Sequence, residues 1–268
     1  MANDASFTGS IPEHYDRELG PVLFADFAAD MARRVAAHHP ARVLETAAGT
    51  GIVTRRLRDT LGPAPELTAT DLNPPMLGVA ETRFQPGDRV TFQPADAQAL
   101  PFPDRQFDAV VCQFGIMFYP DRPLSYRETF RVLAPGGRYH FSTWDAHRYN
   151  PFSAIAHRVV TDTFPDNPPQ FYQVPFSCHA IDPIKADLLD AGFDDIEIAV
   201  LRQKRALPDL RAFATGMVFG NPLIEQIHLR GGDPDKIRDI LLDELHRAFG
   251  SSNARMDVQV LMFSARKP

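Results

Sequence analysis

The sequence predicts the α/β class, a mostly parallel sheet with helices on both faces, and three observations predict it. Short apolar runs alternate with segments of helical period between residues 42 and 144, the pattern of parallel strands joined by crossover helices. The run Arg42-Val-Leu-Glu45 passes straight into a turn of minimal side chains, Ala47, Ala48, Gly49 and Gly51, and then into a helix. Acidic residues close three successive strand-like runs: Glu45, then Asp71 twenty residues after Gly51, then Asp96 twenty-five residues after Asp71. A turn free of bulky side chains lets backbone N–H groups and the positive end of a helix approach a ligand, which implies a nucleotide-like cofactor.

The elements follow in order. Residues 1–12 are small, polar and rich in Gly, Ser and Pro, predicting a poorly ordered leader unless a ligand pins it; residues 1–20 are assigned as a leader or lid and 21–268 as the main domain. From Pro21, the positions Phe24, Phe27, Met31 and Val35 recur at helical spacing until His38-His39-Pro40 closes the segment. Strands are expected at 42–46, 66–71, 89–93, 107–114 and 137–144, with helices at 51–61, 75–83 and 121–133. After Trp144 a cap segment, 145–180, is rich in Pro, Phe, Asn, Asp and His, with a helix near 151–163. A helix over 181–191 is stopped by Gly192, and 196–203 alternates as a strand. A helical insert, 205–255, carries helices at 208–218, 222–229 and 234–249. The last is marked by one apolar face of Ile237, Ile240, Leu241, Leu245, Ala248 and Phe249 beginning after Asp233-Pro234. The final strand spans 258–265.

Bulk properties narrow the function. The 268 residues are 44% hydrophobic, enough for one elaborated domain. A net charge of -6 without a Lys/Arg cluster gives no footprint for nucleic acid. The longest apolar run, Phe107 to Tyr119, is interrupted and too short to span a bilayer, and the first residues lack a secretory signal pattern. Two distant cysteines, Cys112 and Cys178, lie in no metal-ligand spacing; they predict a reduced cytoplasmic chain with no metal site. Oligomeric state is left open.

Four blocks occur in order: Val43-Leu-Glu-Thr-Ala-Ala-Gly-Thr-Gly51; Ala69-Thr-Asp-Leu-Asn-Pro-Pro-Met76; Asp96-Ala-Gln-Ala-Leu-Pro-Phe-Pro-Asp104 with Phe107-Asp-Ala-Val110; and Arg131-Val-Leu-Ala-Pro-Gly-Gly-Arg138. Over roughly residues 11–144 the chain resembles the class I S-adenosylmethionine-dependent methyltransferases, in the small-molecule branch with the ubiquinone/menaquinone-biosynthesis C-methyltransferases. The resemblance implies a Rossmann-like, doubly wound sheet of seven strands, mostly parallel with an antiparallel last strand, and a cofactor lying across the carboxyl ends of the strands near the topological switch.

The same resemblance gives each block a task. Ala47, Gly49 and Gly51 would let the backbone meet the methionine and ribose parts of S-adenosyl-L-methionine, with Glu45 facing its ammonium; most relatives carry Gly where Ala47 stands. Asp71 would accept both ribose hydroxyls. Leu72 and Met76 would sandwich the adenine, and Asp96 and the N–H of Ala97 would read its edge. Gln113 and Phe114 would lie by the methionine tail, and Tyr15, in Ile11-Pro-Glu-His-Tyr-Asp-Arg17, would fold over the cofactor. Phe114, Phe118, Tyr119 or Tyr15 could face the sulfonium. The reaction would then move a methyl to an N, O or C atom of a small, partly apolar or aromatic metabolite. Tyr119 and His147 are the catalytic candidates; of the base candidates near the carboxyl edge, His140, Asp145 and His147, the loop residue His147 is preferred, and His140, inside a strand, is expected to be a core residue. The cap and insert, with Phe152, Phe164, Phe171, Tyr172, Phe176, Phe213, Met217 and Phe219, would form the acceptor pocket. Two alternatives remain open: an NAD(P)-dependent oxidoreductase, whose fingerprint shares the turn and the acid, and a cofactor-binding module without catalysis.

Overall fold

The computed structural model describes residues 4–268. Its centre is a seven-stranded sheet: β1 (Arg42–Glu45), β2 (Glu66–Asp71), β3 (Val90–Pro94), β4 (Phe107–Gln113), β5 (Leu133–Trp144), β6 (Asp194–Ala206) and β7 (Arg255–Arg266). They lie in the order β3-β2-β1-β4-β5-β7-β6. β1 pairs in parallel with both β2 and β4, and β7 runs antiparallel to β5 and β6. The fold expected from the sequence is the fold observed. β1 is where the strand order reverses, so the crevice beyond Glu45 is the switch point at which such sheets take ligands.

Helices α1 (Ile11–His14), α2 (Ala25–Ala36), α3 (Ile52–Leu61), α4 (Pro74–Glu81) and α5 (Arg122–Val132) accompany the first five strands. Beyond β5 come α6 (Pro151–Thr163), α7 (Ile181–Asp190), α8 (Leu210–Phe219), α9 (Leu223–His228) and α10 (Pro234–Phe249). The core runs through the sheet, with Phe27, Leu44, Val110, Phe141, Leu188 and Val260 fully buried. Asp121, Asp209 and Asp233 each accept a backbone N–H at the start of α5, α8 and α10, which satisfies donors that a helix start leaves free.

Three local departures from the expected pattern bear on the site. Between α1 and α2 the chain forms a π-helix, Tyr15–Phe24, containing Pro21. Pro21 has no N–H to donate to either its fourth or its fifth predecessor, so this segment lacks one helical bond at that point. Second, the leader is held by the protein itself from Asp4 onward, while residues 1–3 lie outside the described residues. Phe7 N donates to Asn73 Oδ1 at 3.2 Å, Asn73 Nδ2 donates to the Ala5 carbonyl at 3.0 Å, and Gln226 Nε2 donates to Asp4 Oδ1 at 2.6 Å. Third, β6 and β7 are longer than their apolar alternation suggests, because each extends by pairing with the other up to Ala206 and Arg255.

Candidate active site

The carboxyl ends of β1, β2 and β4 open into a cavity of about 300 Å³, the lower end of the range for small-molecule sites. Eleven of the fourteen residues expected at the site line it: Tyr15, Ala47, Gly49, Asp71, Leu72, Met76, Asp96, Ala97, Gln113, Phe114 and Tyr119. Asp71 and Asp96 thus line one cavity with Gly49. Glu45 lines a smaller adjoining pocket with Gly49, Thr50 and Phe114. Gly51 and His147 stand outside the lining.

The turn after β1 is shaped by backbone conformation. Ala47, Gly49 and Gly51 all have positive φ, of 51°, 57° and 77°. A Cβ on Gly51 would also stand 2.9 Å from the Ala80 Cβ, so this glycine sets the approach of the turn to α4 and acts behind the cavity. Ala47 holds a conformation that a side chain resists. Its methyl is accommodated because position 115 is glycine: a Cβ there would lie 2.5 Å from the Ala47 Cβ. Phe114, beside it, has φ of 56°, and its ring stacks on Trp144 with centroids 4.3 Å apart. Strained backbone at two non-glycine residues of one cavity wall is the mark of a site held by its surroundings.

Asp71, only 6% exposed, accepts Gly49 N at 2.9 Å on one oxygen and Asn73 N at 2.8 Å on the other. Burial raises its pKa, while these donors pull the other way. Next to it Leu72 is 55% exposed, an apolar side chain left against the cavity. Met76 is buried and lines the same cavity. Asp96 accepts Gln98 N at 2.8 Å and is itself exposed. Glu45 is 2% exposed and accepts the Thr54 hydroxyl at 2.7 Å. Burial pushes its pKa up to about 8, with the Thr54 bond opposing and the Asp71 charge adding. Gln113 donates weakly to the Phe24 carbonyl at 3.4 Å, and its Oε1 is buried with no partner.

Tyr15 is carried over the cavity by the π-helix. Its ring stacks on Phe24 at 4.8 Å and meets Phe7 edge-on at 5.9 Å. Burial, with Asp71 and Asp16 nearby, raises the phenol's pKa. The segment is clamped from two sides. Arg83 donates to the Thr50 carbonyl at 2.7 Å and to Asp16, and α8 packs so closely that a Cβ on Gly216 would stand 2.7 Å from the Glu18 Cβ.

The remaining candidates separate. Tyr119 lines the cavity, and its hydroxyl lies 3.4 Å from Cys112 Sγ; burial holds its pKa well above the ordinary value. His147 has its Nδ1 2.8 Å from Ser153 Oγ, and its ring stacks at 4.7 Å on Phe176, which lines the cavity where His147 does not. Burial lowers its pKa, helped by His157 and His179. His140 is a buried strand residue with both ring nitrogens unpartnered and a pKa lowered to about 3 by burial. Of the aromatic and apolar residues expected in the acceptor pocket, Phe152, Phe171, Tyr172, Phe176 and Met217 line the cavity. Phe164 packs against Gly232, Phe213 is in the core, and Phe219 meets His14. Phe7, Phe24, Asn73, Trp144 and Asn221 also line it and were not singled out by the sequence. The Phe7 leader carried no period, and Asn221 lies in the connection between two insert helices.

The Methyltransferase domain family matches residues 43–137. A demethylmenaquinone methyltransferase of Thermus thermophilus is 44% identical over 100 residues, 37% of this chain and 45% of that protein. The ubiquinone/menaquinone biosynthesis C-methyltransferase UbiE of Pasteurella multocida is 32% identical over 171 residues, 58% of this chain and 63% of that one. The chain therefore spans less than half of the first of these relatives and under two thirds of the second. Among solved structures, the YcgJ protein of Bacillus subtilis superposes with a TM-score of 0.60 at 19% identity, covering 90% of this chain and 98% of that one, a likeness of fold.

Proposed function

We propose that this chain, which matches the Methyltransferase domain family over residues 43–137, transfers a methyl group from S-adenosyl-L-methionine to a small, partly apolar or aromatic metabolite. The observation that supports this reading is that Asp71, Leu72, Asp96 and Gly49 line one cavity; a dinucleotide site would give the Asp96-Ala97 block no duty. The residues present fit the cofactor. Glu45 is a buried carboxylate without a cationic partner among the described residues, Gln113 Oε1 is unpartnered, and Leu72 is exposed to the cavity; an ammonium, a polar tail and an adenine ring would answer these three in turn.

In this reading the carboxylate of Asp71 holds the ribose hydroxyls, Leu72 and Met76 hold the adenine faces, and Asp96 with Ala97 its edge. Ala47, Gly49 and Glu45, with Gln113 and Phe114, hold the methionine part, and Gly51 fixes the turn. The bound cofactor supplies an electrophilic methyl on a cationic sulfur. Tyr15, Phe114 and Tyr119 surround that corner with aromatic faces, which favour a cation without attacking it. The chain's main contribution is alignment and exclusion of water, worth up to about 7–11 kcal/mol in well-oriented systems. Tyr119 is a positioning group, since its raised pKa and its Cys112 contact unfit it to take a proton. His147 supports the cap through Phe176. The residues 4–20 lid ties the Asn73 loop to Gln226, and the cap and insert wall of Phe152, Phe171 and Phe176 suits an acceptor like that named for the Thermus relative. No helix among the described residues is long and apolar enough to cross a membrane. We assign the reaction to the cytoplasm, a reading supported by Cys112 and Cys178 both being free thiols.

The test is a single turnover. Protein loaded with methyl-labelled S-adenosylmethionine and mixed with a metabolite extract should yield S-adenosylhomocysteine and one labelled small molecule. Bound cofactor that never turns over in any extract would favour the silent binding module.

Glu45 adds a pH signature. Its pKa in the folded chain lies above the ordinary carboxyl value, so its contribution to stability is complete below about pH 4.5 and is lost as pH rises through about 8. Glu45→Gln should therefore match the wild type near pH 5 and exceed its melting temperature at pH 8, in scanning calorimetry without ligand. Equal melting temperatures at both pH values would contradict the buried-proton account.

A further inference from the structure

Gln226, on α9, is 6% exposed, and its amide joins two segments that line the cavity and lie far apart in sequence. Its Oε1 accepts the backbone N–H of Gln170 at 2.9 Å and that of Phe171 at 3.1 Å. An N–H can be received only by the oxygen, so these two donors fix which way the amide is turned. Its Nε2 then donates to Asp4 Oδ1 at 2.6 Å. One buried side chain thus holds the cap through its oxygen and the leader through its nitrogen.

The same two segments also meet through rings. Phe171 stacks on Phe118 with centroids 6.2 Å apart, and Phe118 meets Phe7 edge-on at 5.7 Å; all three line the cavity. The contacts close a circuit: Asp4 leads along the leader to Phe7, Phe7 to Phe118, Phe118 to Phe171, and Phe171 through Gln226 back to Asp4. Apolar contact is non-directional, whereas a hydrogen bond weakens steeply off its line. The amide therefore sets the spacing of leader and cap, and the rings fill it. Farther along the leader, Asn73 holds the Ala5 carbonyl and the Phe7 N–H, and the Asn73 N–H is itself bonded to Asp71. The leader is fastened at one point to the Asp71 loop and at another to Gln226.

Resting on the methyltransferase reading, we propose that Gln226 is a positioning residue: it locks the leader to the cap so that the two hold the bound cofactor as one body, and release of the ligand requires the Asp4 bond to break. Gln226 does not line the cavity, so it acts through Phe171 and the leader. Its two bonds to the cap keep Phe171 in place whether the leader is fastened or free, and the single bond to Asp4 is the one that opens.

The test separates the two ends of the amide. Gln226→Glu keeps an oxygen for the Gln170 and Phe171 N–H groups but sets a carboxylate against that of Asp4, so the cap stays bonded and the leader is repelled. Adding Asp4→Asn restores a bond of reversed sense, in which the new amide at position 4 donates to the new carboxylate. The full chain is immobilised at neutral pH and the dissociation of S-adenosylhomocysteine is followed by surface plasmon resonance. Gln226→Glu should release it at least fivefold faster than the wild type, the loss of affinity lying mostly in the dissociation rate, and the double variant should return to within twofold of the wild type. A wild-type dissociation rate in Gln226→Glu, or a double variant that releases as fast as Gln226→Glu, overturns the proposal. Should Gln226→Glu fail to fold, Asp4→Ala decides, because it removes the leader's acceptor and leaves both cap bonds: the same fivefold acceleration is expected, and a wild-type rate overturns the proposal. A wild-type chain that does not bind S-adenosylhomocysteine strikes the methyltransferase reading and this inference with it; binding with unchanged release strikes this inference alone.

Discussion

Asp71→Ala lowers the affinity for S-adenosylhomocysteine by roughly 10- to 100-fold, the loss of charge-assisted hydrogen bonds worth about 1.5–3 kcal/mol. The reason is positional. Asp71 ends β2 at the sheet's carboxyl edge, opposite Pro94 of β3, and its two oxygens already hold Gly49 N and Asn73 N. A ribose would thus meet a carboxylate that cannot swing away. The same substitution leaves two backbone N–H groups without their acceptor, so stability falls too, by about 1–3 kcal/mol if they stay buried. The two effects are read separately, affinity by isothermal calorimetry and stability by urea unfolding of the ligand-free chain. Unchanged affinity contradicts the ribose role whatever happens to stability.

Gly51→Ala should cost about 2–4 kcal/mol of unfolding free energy, as overpacking of about 1–3 kcal/mol adds to about 1 kcal/mol of left-handed backbone strain. Its φ of 77° and the 2.9 Å approach to the Ala80 Cβ act together, because relieving the clash means moving α4, and α4 carries Met76. The loss should therefore extend to cofactor affinity although Gly51 does not line the cavity. A variant with wild-type stability by urea unfolding would show that α4 yields without cost.

The strand-end side of the cavity was legible in the sequence, because its residues sit at strand ends, and strand ends are visible wherever an apolar run stops. Glu45, Asp71 and Gln113 are all last residues of their strands. Spacing along the chain therefore translated into adjacency across the sheet. The cap and insert side was only partly legible. Phe171, Tyr172 and Phe176 were expected there from composition, but Phe164, Phe213 and Phe219 carry the same chemistry and are packed elsewhere, and nothing local distinguishes them. Which aromatic reaches a cavity is decided by how α6, α8 and the loops dock. The π-helix at Tyr15–Phe24 was hidden for a simpler reason: its period differs from the 3.6 residues that helical patterning detects, and Phe24 and Phe27 still fall near helical spacing. The leader was hidden because its tethers to Asn73 and Gln226 span 68 and 222 residues of sequence. His147 stood close in sequence to the carboxyl edge, yet Phe176, on which its ring stacks, lines the cavity where His147 does not.

The account depends on a sheet edge built to hold an adenosyl sulfonium, and one calorimetric titration tests that most directly. The purified chain at neutral pH is titrated with S-adenosylhomocysteine and, in parallel, with NADH. The account predicts one-to-one binding of S-adenosylhomocysteine and no heat of binding with NADH. Saturable binding of NADH alone would contradict it.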